Sequence, residues 1–431
     1  MLAVSSAASV RTVARPSAGG ADRSLGILIG LVLPLLAALL YRTYALALSP
    51  AWLEMTRQLG APFVLGEIGI VLYARHRGLA LGPLWDRIDR PTRWALVVFL
   101  GSFWISSAFV SWMASFSLAL CLIWVVHLLT AAAVFHLVEE GGVVPGRFAP
   151  GFALGLGVLA PIAGVHLALA PSDQGPATWI FGAPIPGFIS IRLFGAWAGA
   201  VLALLLGLAW SADRKGEAGP RWVYPALGLA AGLVVWSGTR ASVFGAIVAL
   251  AGAAIVTRGA PGRRFWVAAV LAIAVGSALT ILSMPSHPNM LLFRPEAMRS
   301  ADGFSSGRLD LWGKALAVAV ERPLLGHGMG SSWWLVWLDG HSHVQPHNAL
   351  VQFLLNWGLV PTAAALFILG RATWRVHGAV RRRPELLALA MMLDFLLAVS
   401  LLDGMLHFTR FVMLIAVLIA AALAGDRSAA R

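Results

Sequence analysis

The sequence predicts an all-α integral membrane protein with about twelve transmembrane helices and one long polar loop near its C-terminal third. Three observations carry that prediction. The 431 residues are 59% hydrophobic and 12% charged, with a mean hydropathy of +0.81, where soluble domains carry about a quarter charged residues. The apolar runs are continuous rather than alternating, which excludes a membrane β-barrel. The net charge of +13 comes from arginines clustered between the runs, the pattern of cytoplasmic loops rather than of a nucleic-acid surface.

Residues 1–23 are small, polar and basic, and read as a disordered cytoplasmic tail. Leu25–Leu48 follows a positive flank but is too long for a signal-peptide core, so it reads as a retained first span. The next runs are Gly60–Tyr73, Trp94–Met113, Ser115–Val138, Phe148–Ala170, Ile191–Trp210, Trp222–Trp236, Ser242–Val256 and Phe265–Met284, which fill residues 24–284. The loop occupies 285–346. Ala349–Leu369, Leu386–Leu402 and Leu406–Leu423 then make three more spans within 347–424, and 425–431 is a second cytoplasmic tail. No internal repeat is evident.

Orientation follows from arginine bias. With the N-terminus inside, the inner connections hold Arg75, Arg77, Arg87, Arg90, Arg93, Arg147, Arg214, Lys215, Arg221, Arg258, Arg263, Arg264, Arg371, Arg375 and Arg381 to Arg383. The outer connections and adjoining span ends hold only Arg42, Arg57, Arg192, Arg240 and Arg410. Both termini are therefore expected in the cytoplasm and the long loop outside. Inside the loop, Leu309, Trp312, Leu316 and Val320 fall at helical spacing and Pro323 ends the pattern, which predicts an amphipathic helix over Arg308–Glu321 along the outer membrane face.

The candidate chemistry gathers on that outer side. Arg240, in the tight turn Ser237-Gly238-Thr239-Arg240, runs against a cost of roughly 2.5–3.5 kcal/mol for arginine at membrane depth. Arg192 starts a span at the same face, where snorkelling to headgroups explains it equally well. His347, with Asn348, opens the span after the loop, at a water–membrane boundary where a histidine serves as a general base or a capping residue. Arg308 suits an anion and Trp312 a sugar face. His341, His343 and His347 with Asp339 form a weak metal motif. Glu67 and Asp394 lie inside spans and need partners there, whereas His127, His136 and His166 read as packed. Cys121 is the only cysteine, so no intrachain disulfide or multi-cysteine metal site is available. The eighteen tryptophans fit interfacial belts first and carbohydrate stacking second.

These residues resemble a known family. Ser306-Gly307-Arg308-Leu309-Asp310-Leu311-Trp312, followed by Arg322-Pro323-Leu324-Leu325-Gly326-His327-Gly328, is similar to a stretch of the O-antigen ligase and O-antigen polymerase superfamily. His347-Asn348 through Gln352, Gly358 and Leu359 resembles that superfamily's histidine signature, with Val351 in place of leucine, Asn356 in place of an acid and Pro361 where glycine is common. Ser237-Gly238-Thr239-Arg240 is similar to its serine–arginine turn.

The resemblance implies a GT-C-type membrane glycosyltransferase of the bacterial inner membrane, with its active site periplasmic and no cofactor or metal. The donor would be a glycan on undecaprenyl pyrophosphate, and the acceptor a sugar hydroxyl. His347 would act as base and Arg240 with Arg192 would hold the diphosphate, while Arg308, Trp312 and His343 would contact the phosphates or glycan. A ligase would transfer to lipid A–core; a polymerase of O-antigen, capsule or exopolysaccharide would transfer to a polyprenyl-linked repeat unit. A polyprenyl-glycan transporter or flippase is the alternative from another class. It would place charges at mid-membrane on broken helices, whereas the arginines here sit at span ends.

Overall fold

The computed structural model describes residues 21–47, 60–141, 145–169, 185–188, 190–217, 219–285, 292, 305, 307–338 and 340–428, and these are predominantly helical. Most of the expected first tail, Arg57, Ser306, Asp339 and much of 285–304 lie outside the described residues, as do the side chains of Arg42 and His341. The first helices are α1 (Ala21–Ile27) and α2 (Leu33–Ala47), joined by a π-helical turn at Leu28–Val32. Next come α3 (Ala61–His76), α4 (Leu81–Arg87), α5 (Arg90–Ile105, extended by a π-helical turn at Ser106–Val110), α6 (Ala114–Gly141) and α7 (Pro145–Ala168). The middle of the chain holds α8 (Ile191–Arg214), α9 (Val223–Trp236), α10 (Arg240–Thr257) and α11 (Arg263–Ser283). The loop carries α12 (Arg308–Glu321), α13 (Ser332–Leu335) and a minimal hairpin, in which β1 (Trp337–Leu338) pairs antiparallel with β2 (His341–Ser342). The chain ends with α14 (Ala349–Trp357), α15 (Leu359–Arg382), α16 (Leu387–Asp403) and α17 (Thr409–Ser428).

Nine helices among the described residues are long and apolar enough to cross a membrane. The three other expected spans are also helical but fall short. α3 has 16 residues and α9 has 14, and the run Ala349–Leu369 is broken into two helices. The last expected tail is largely helix, because α17 continues to Ser428.

Packing puts α8 at the centre, enclosed along almost its whole length, with α9, α10 and α16 against it. Close helix approach depends on small residues, as membrane interfaces require where apolar burial alone supplies no drive. A Cβ on Gly155 would lie 1.9 Å from the carbonyl oxygen of Gly30, so α7 and the first helix meet backbone to backbone. Two carboxyl groups inside spans each meet a histidine. Glu67 accepts from or donates to His127 Nδ1 at 2.7 Å, and Asp394 meets His377 Nε2 at 2.9 Å. The tryptophans depart from the belt expectation at several positions. Trp197, Trp210 and Trp357 are wholly buried, and Trp357 stacks on Phe353 at 4.1 Å with Phe99, Phe103 and Trp124 around it.

The break at Gly358 has a specific cause. Residues 323–328 lie directly on it, with Leu359 N donating to Pro323 O (2.7 Å), His327 N to Leu355 O (2.9 Å) and Gly328 N to Asn356 O (2.8 Å). Gly358 adopts φ 73°, ψ −173°, a conformation open in practice only to glycine. A Cβ there would stand 2.4 Å from the backbone of Leu324. The loop is seated from the other side by hydroxyls of the α5–α6 hairpin. Ser106 Oγ donates to Leu325 O and Ser117 Oγ to Met329 O, both at 2.5 Å. Non-helical backbone is tolerated beside a bundle when its polar groups are satisfied in this way. The two glycine-bearing motifs of the sequence are thus one docked unit.

Candidate active site

His347 is presented by the turn that precedes α14. Asn348, rather than His347, caps that helix: its Oδ1 accepts from Leu350 N (2.9 Å) and Val351 N (3.1 Å). This leaves the imidazole available for other work. His347 has φ 54°, a left-handed conformation that histidine tolerates better than most residues. Its Nδ1 lies 2.9 Å from Oδ1 of Asp403, a buried carboxylate at the C-terminus of α16, while the ring itself is partly exposed. With Asp403 ionised, Nδ1 carries the proton and donates, and the lone pair is placed on Nε2.

Arg308 completes the cluster from the first turn of α12. Its Nη2 lies 3.2 Å from the same Asp403 oxygen, and its Nη1 donates to the carbonyl of Leu402. A cation at the C-terminal end of a helix is favourable because it answers the unpaired carbonyls there. Arg308 therefore braces the carboxylate that holds the histidine. Trp312, one turn further on, donates its indole N–H to Pro346 O at 2.8 Å, which fixes the residue immediately before His347.

Arg192 lies in the first turn of α8, which Ser190 caps through Oγ on Leu193 N (3.3 Å). Its guanidinium donates to Gly238 O, and Thr239 Oγ1 returns a bond to Arg192 O at 3.4 Å. The Ser237–Arg240 turn can approach this closely because Gly195 has no side chain: a Cβ there would lie 2.0 Å from Ser237 Oγ. Arg192 also stands near enough to Asp403 for their charges to interact. Arg240 opens α10 two residues beyond Gly238 and is half-buried. The structure thus brings His347 and Arg308 onto Asp403, with the Arg192 charge acting on the same carboxylate and Arg240 joined to Arg192 through the shared turn.

His343 is held through its main chain. Its amide donates to Val336 O (3.0 Å) and its carbonyl accepts from Ser332 Oγ (2.8 Å), so its backbone belongs to the small hairpin. Among the described residues, no group of three histidine, cysteine or acidic side chains converges as a metal site.

Two residues close to His347 carry no motif in the sequence. Asp403 lies 56 positions from His347, and no spacing rule links residues that far apart. The available signal was its place: a lone carboxylate in a tight turn between two apolar runs, at the end where the candidate base also sits. His407 is the other. It lies in the short turn Met405–His407, and its Nδ1 meets Gln352 Nε2 at 3.2 Å. Burial, with the nearby His347 charge adding to it, pushes its pKa down to about 3, so His407 is a neutral hydrogen-bonding group.

No curated protein matches the chain. Residues 225–366 match the model of the family described as O-antigen ligase, a stretch running from α9 through α14 into α15. Arg240, Arg308, Trp312, His343 and His347 fall inside it, whereas Arg192 and Asp403 lie outside. That match, over the segment that carries the histidine, supports the chain's membership in the O-antigen ligase and O-antigen polymerase superfamily.

Proposed function

We propose that this protein is an inverting membrane glycosyltransferase that moves a glycan from undecaprenyl pyrophosphate to a sugar hydroxyl of lipid A–core at the periplasmic face of the inner membrane. The observation that carries this reading is the His347–Asp403 contact. Asp403 holds the proton on Nδ1, so that Nε2 carries the lone pair and serves as the base. His347 takes the proton from the acceptor hydroxyl as that oxygen attacks the anomeric carbon, a role that contributes roughly 100- to 10,000-fold. The bond from the anomeric carbon to the diphosphate oxygen breaks on the opposite face, and undecaprenyl pyrophosphate leaves with the electron pair. Charge grows on that leaving group, and pre-placed cations stabilise it most at that moment. Arg192 and Arg240 supply them, since guanidinium groups stay charged and bind phosphate oxygens in a fork.

Asp403 and His347 replaced singly (Asp403→Asn, His347→Ala), together with Arg240→Ala, test the reading in the native host, with membrane levels checked. The expected result is loss of long glycan from lipid A–core while polyprenyl-linked polymer accumulates. Accumulation of single repeat units would instead assign a polymerase. Unchanged glycans in all three variants would reject the catalytic proposal and turn attention to transport.

A further inference from the structure

Arg410 is a buried cation with no part in the reaction above. It is the second residue of α17 and is 3% exposed. Its Nη1 donates to Gly187 O, and its guanidinium lies over the rings of Phe188 and Phe63, 4.9 and 5.3 Å from their centroids. No carboxylate among the described residues pairs with it, and its Nε is buried without a hydrogen-bond partner. Withdrawing an unpaired guanidinium from water is costly, and aromatic faces return only part of that cost. A methionine would fill the same slot between two phenylalanines with no such penalty. The fold alone therefore does not call for a charge here.

What the guanidinium adds is a grip on Gly187. That residue has φ +83°, and a Cβ on it would lie 2.8 Å from Pro34 O, so the turn is pressed against α2. Phe188 N closes the turn on Ile185 O at 2.7 Å, and the Phe188 ring packs on Phe194 (5.2 Å) and Trp197 (6.1 Å) of α8. Ser190 then caps α8, and Arg192 follows in its first turn. The start of α17 also follows Asp403 directly through the Met405–His407 turn. Arg410 is thus tied to the segment that launches Arg192 and adjoins the one that carries Asp403.

We propose that Arg410 is a positioning residue for the donor diphosphate: by holding the Gly187–Phe188 turn against α17 and α3, it sets the placement of Arg192. The proposal rests on the diphosphate-donor reading. Its test uses the purified full chain in nanodiscs, with undecaprenyl pyrophosphate as the probe and undecaprenol as the uncharged control. Arg410→Met is expected to unfold thermally at or above the wild-type temperature yet bind the probe about tenfold more weakly, about 1.4 kcal/mol. Arg410→Lys should fall between the two. Adding Arg410→Met to Arg192→Ala should cost little more than Arg192→Ala alone, because the first acts through the second. Unchanged binding in Arg410→Met, or losses that simply multiply in the double variant, would overturn the proposal. Should Arg410→Met fail to fold, Phe188→Leu decides in its place: it keeps the charge but frees one face of it, and undiminished binding there rejects the idea. A wild-type protein that does not prefer the diphosphate over undecaprenol would instead reject the donor reading itself, an outcome distinct from a failure of Arg410 alone.

Discussion

At the residue scale, the proposed mechanism needs the His347 tautomer that the Asp403 contact favours. Asp403→Asn preserves the shape of the pocket but presents a group that can donate as well as accept, so the ring is no longer held in one state. The variant should fold normally and lose about 100-fold or more in transfer rate, within the range a positioned base supplies; a rate within a few-fold of wild type would remove Asp403 from the mechanism. His407 gives a pH prediction. Its folded-state pKa of about 3 lies below its ordinary value near 6.5, because burial and the His347 charge both oppose a second cation. The unfolded chain therefore binds a proton first as pH falls. Stability from neutral His407 is complete above about 6.5 and is lost as pH falls from there toward 3, at up to about 1.4 kcal/mol per pH unit. His407→Gln should flatten that part of the stability–pH curve in thermal melts between pH 7 and 4. A curve as steep as the wild type's would assign the acid loss to other groups.

At the element scale, the unit formed by residues 323–328 and the Gly358 break decides how α14 sits, and so where His347 is presented. Gly358→Ala meets both a forbidden backbone conformation and a clash with Leu324. It should lower stability by about 1–3 kcal/mol and reduce activity although it touches no reacting group, which a denaturation midpoint and a transfer assay together would show. The break itself was hidden in the sequence, because Ala349–Leu369 is predominantly apolar and hydropathy does not register backbone conformation. Gly358 and Pro361 were visible, but the segment of loop that docks beside them is about thirty residues away. α12 was legible, because its period is local. Leu311, Ala315 and Ala319 face the protein, while Leu309, Leu316 and Val320 remain exposed on an adjoining stripe. Its two ends are fastened to the ends of transmembrane helices, Arg308 to Leu402 of α16 and Arg322 to Val110 beyond α5 (2.8 Å). Phe109 and Trp112 are 85% and 80% exposed beside that second anchor, which suits a helix lying along the bilayer surface.

At the scale of the whole molecule, most apolar runs read from the sequence are helices close to their expected limits, because continuous hydrophobicity is a strong signal. The convergence of the site was not legible, since Arg192, Arg308, His347 and Asp403 come from four separate elements. Charge pattern does set an expected orientation, and the opposite end of the bundle has its own ion pairs. Arg371 and Arg375 of α15 reach Asp89 at 3.2 and 2.6 Å. Against a burial cost, hydrogen bonds from Thr92 and Arg371 and the Arg375 charge hold that carboxyl down to about 2. Cys121 is buried and is the only cysteine, so single introduced cysteines report topology cleanly. In spheroplasts, an impermeant maleimide should label Lys314→Cys at once and Glu217→Cys only after lysis; the reverse pattern would invert the orientation.

The position of Asp403 so late in the chain also bears on when the protein becomes competent. A ribosome delivers Arg192, Arg308 and His347 to the membrane well before the helix that ends in Asp403. A nascent chain thus acquires its complete histidine motif while still lacking the group that orients it. On the proposed mechanism, competence arrives with the final hairpin of α16 and α17, and an unfinished molecule is expected to leave a lipid-linked glycan untouched. Fragments 1–383 and 384–431 should each be inert, and their co-expression should restore transfer if the hairpin docks on its own.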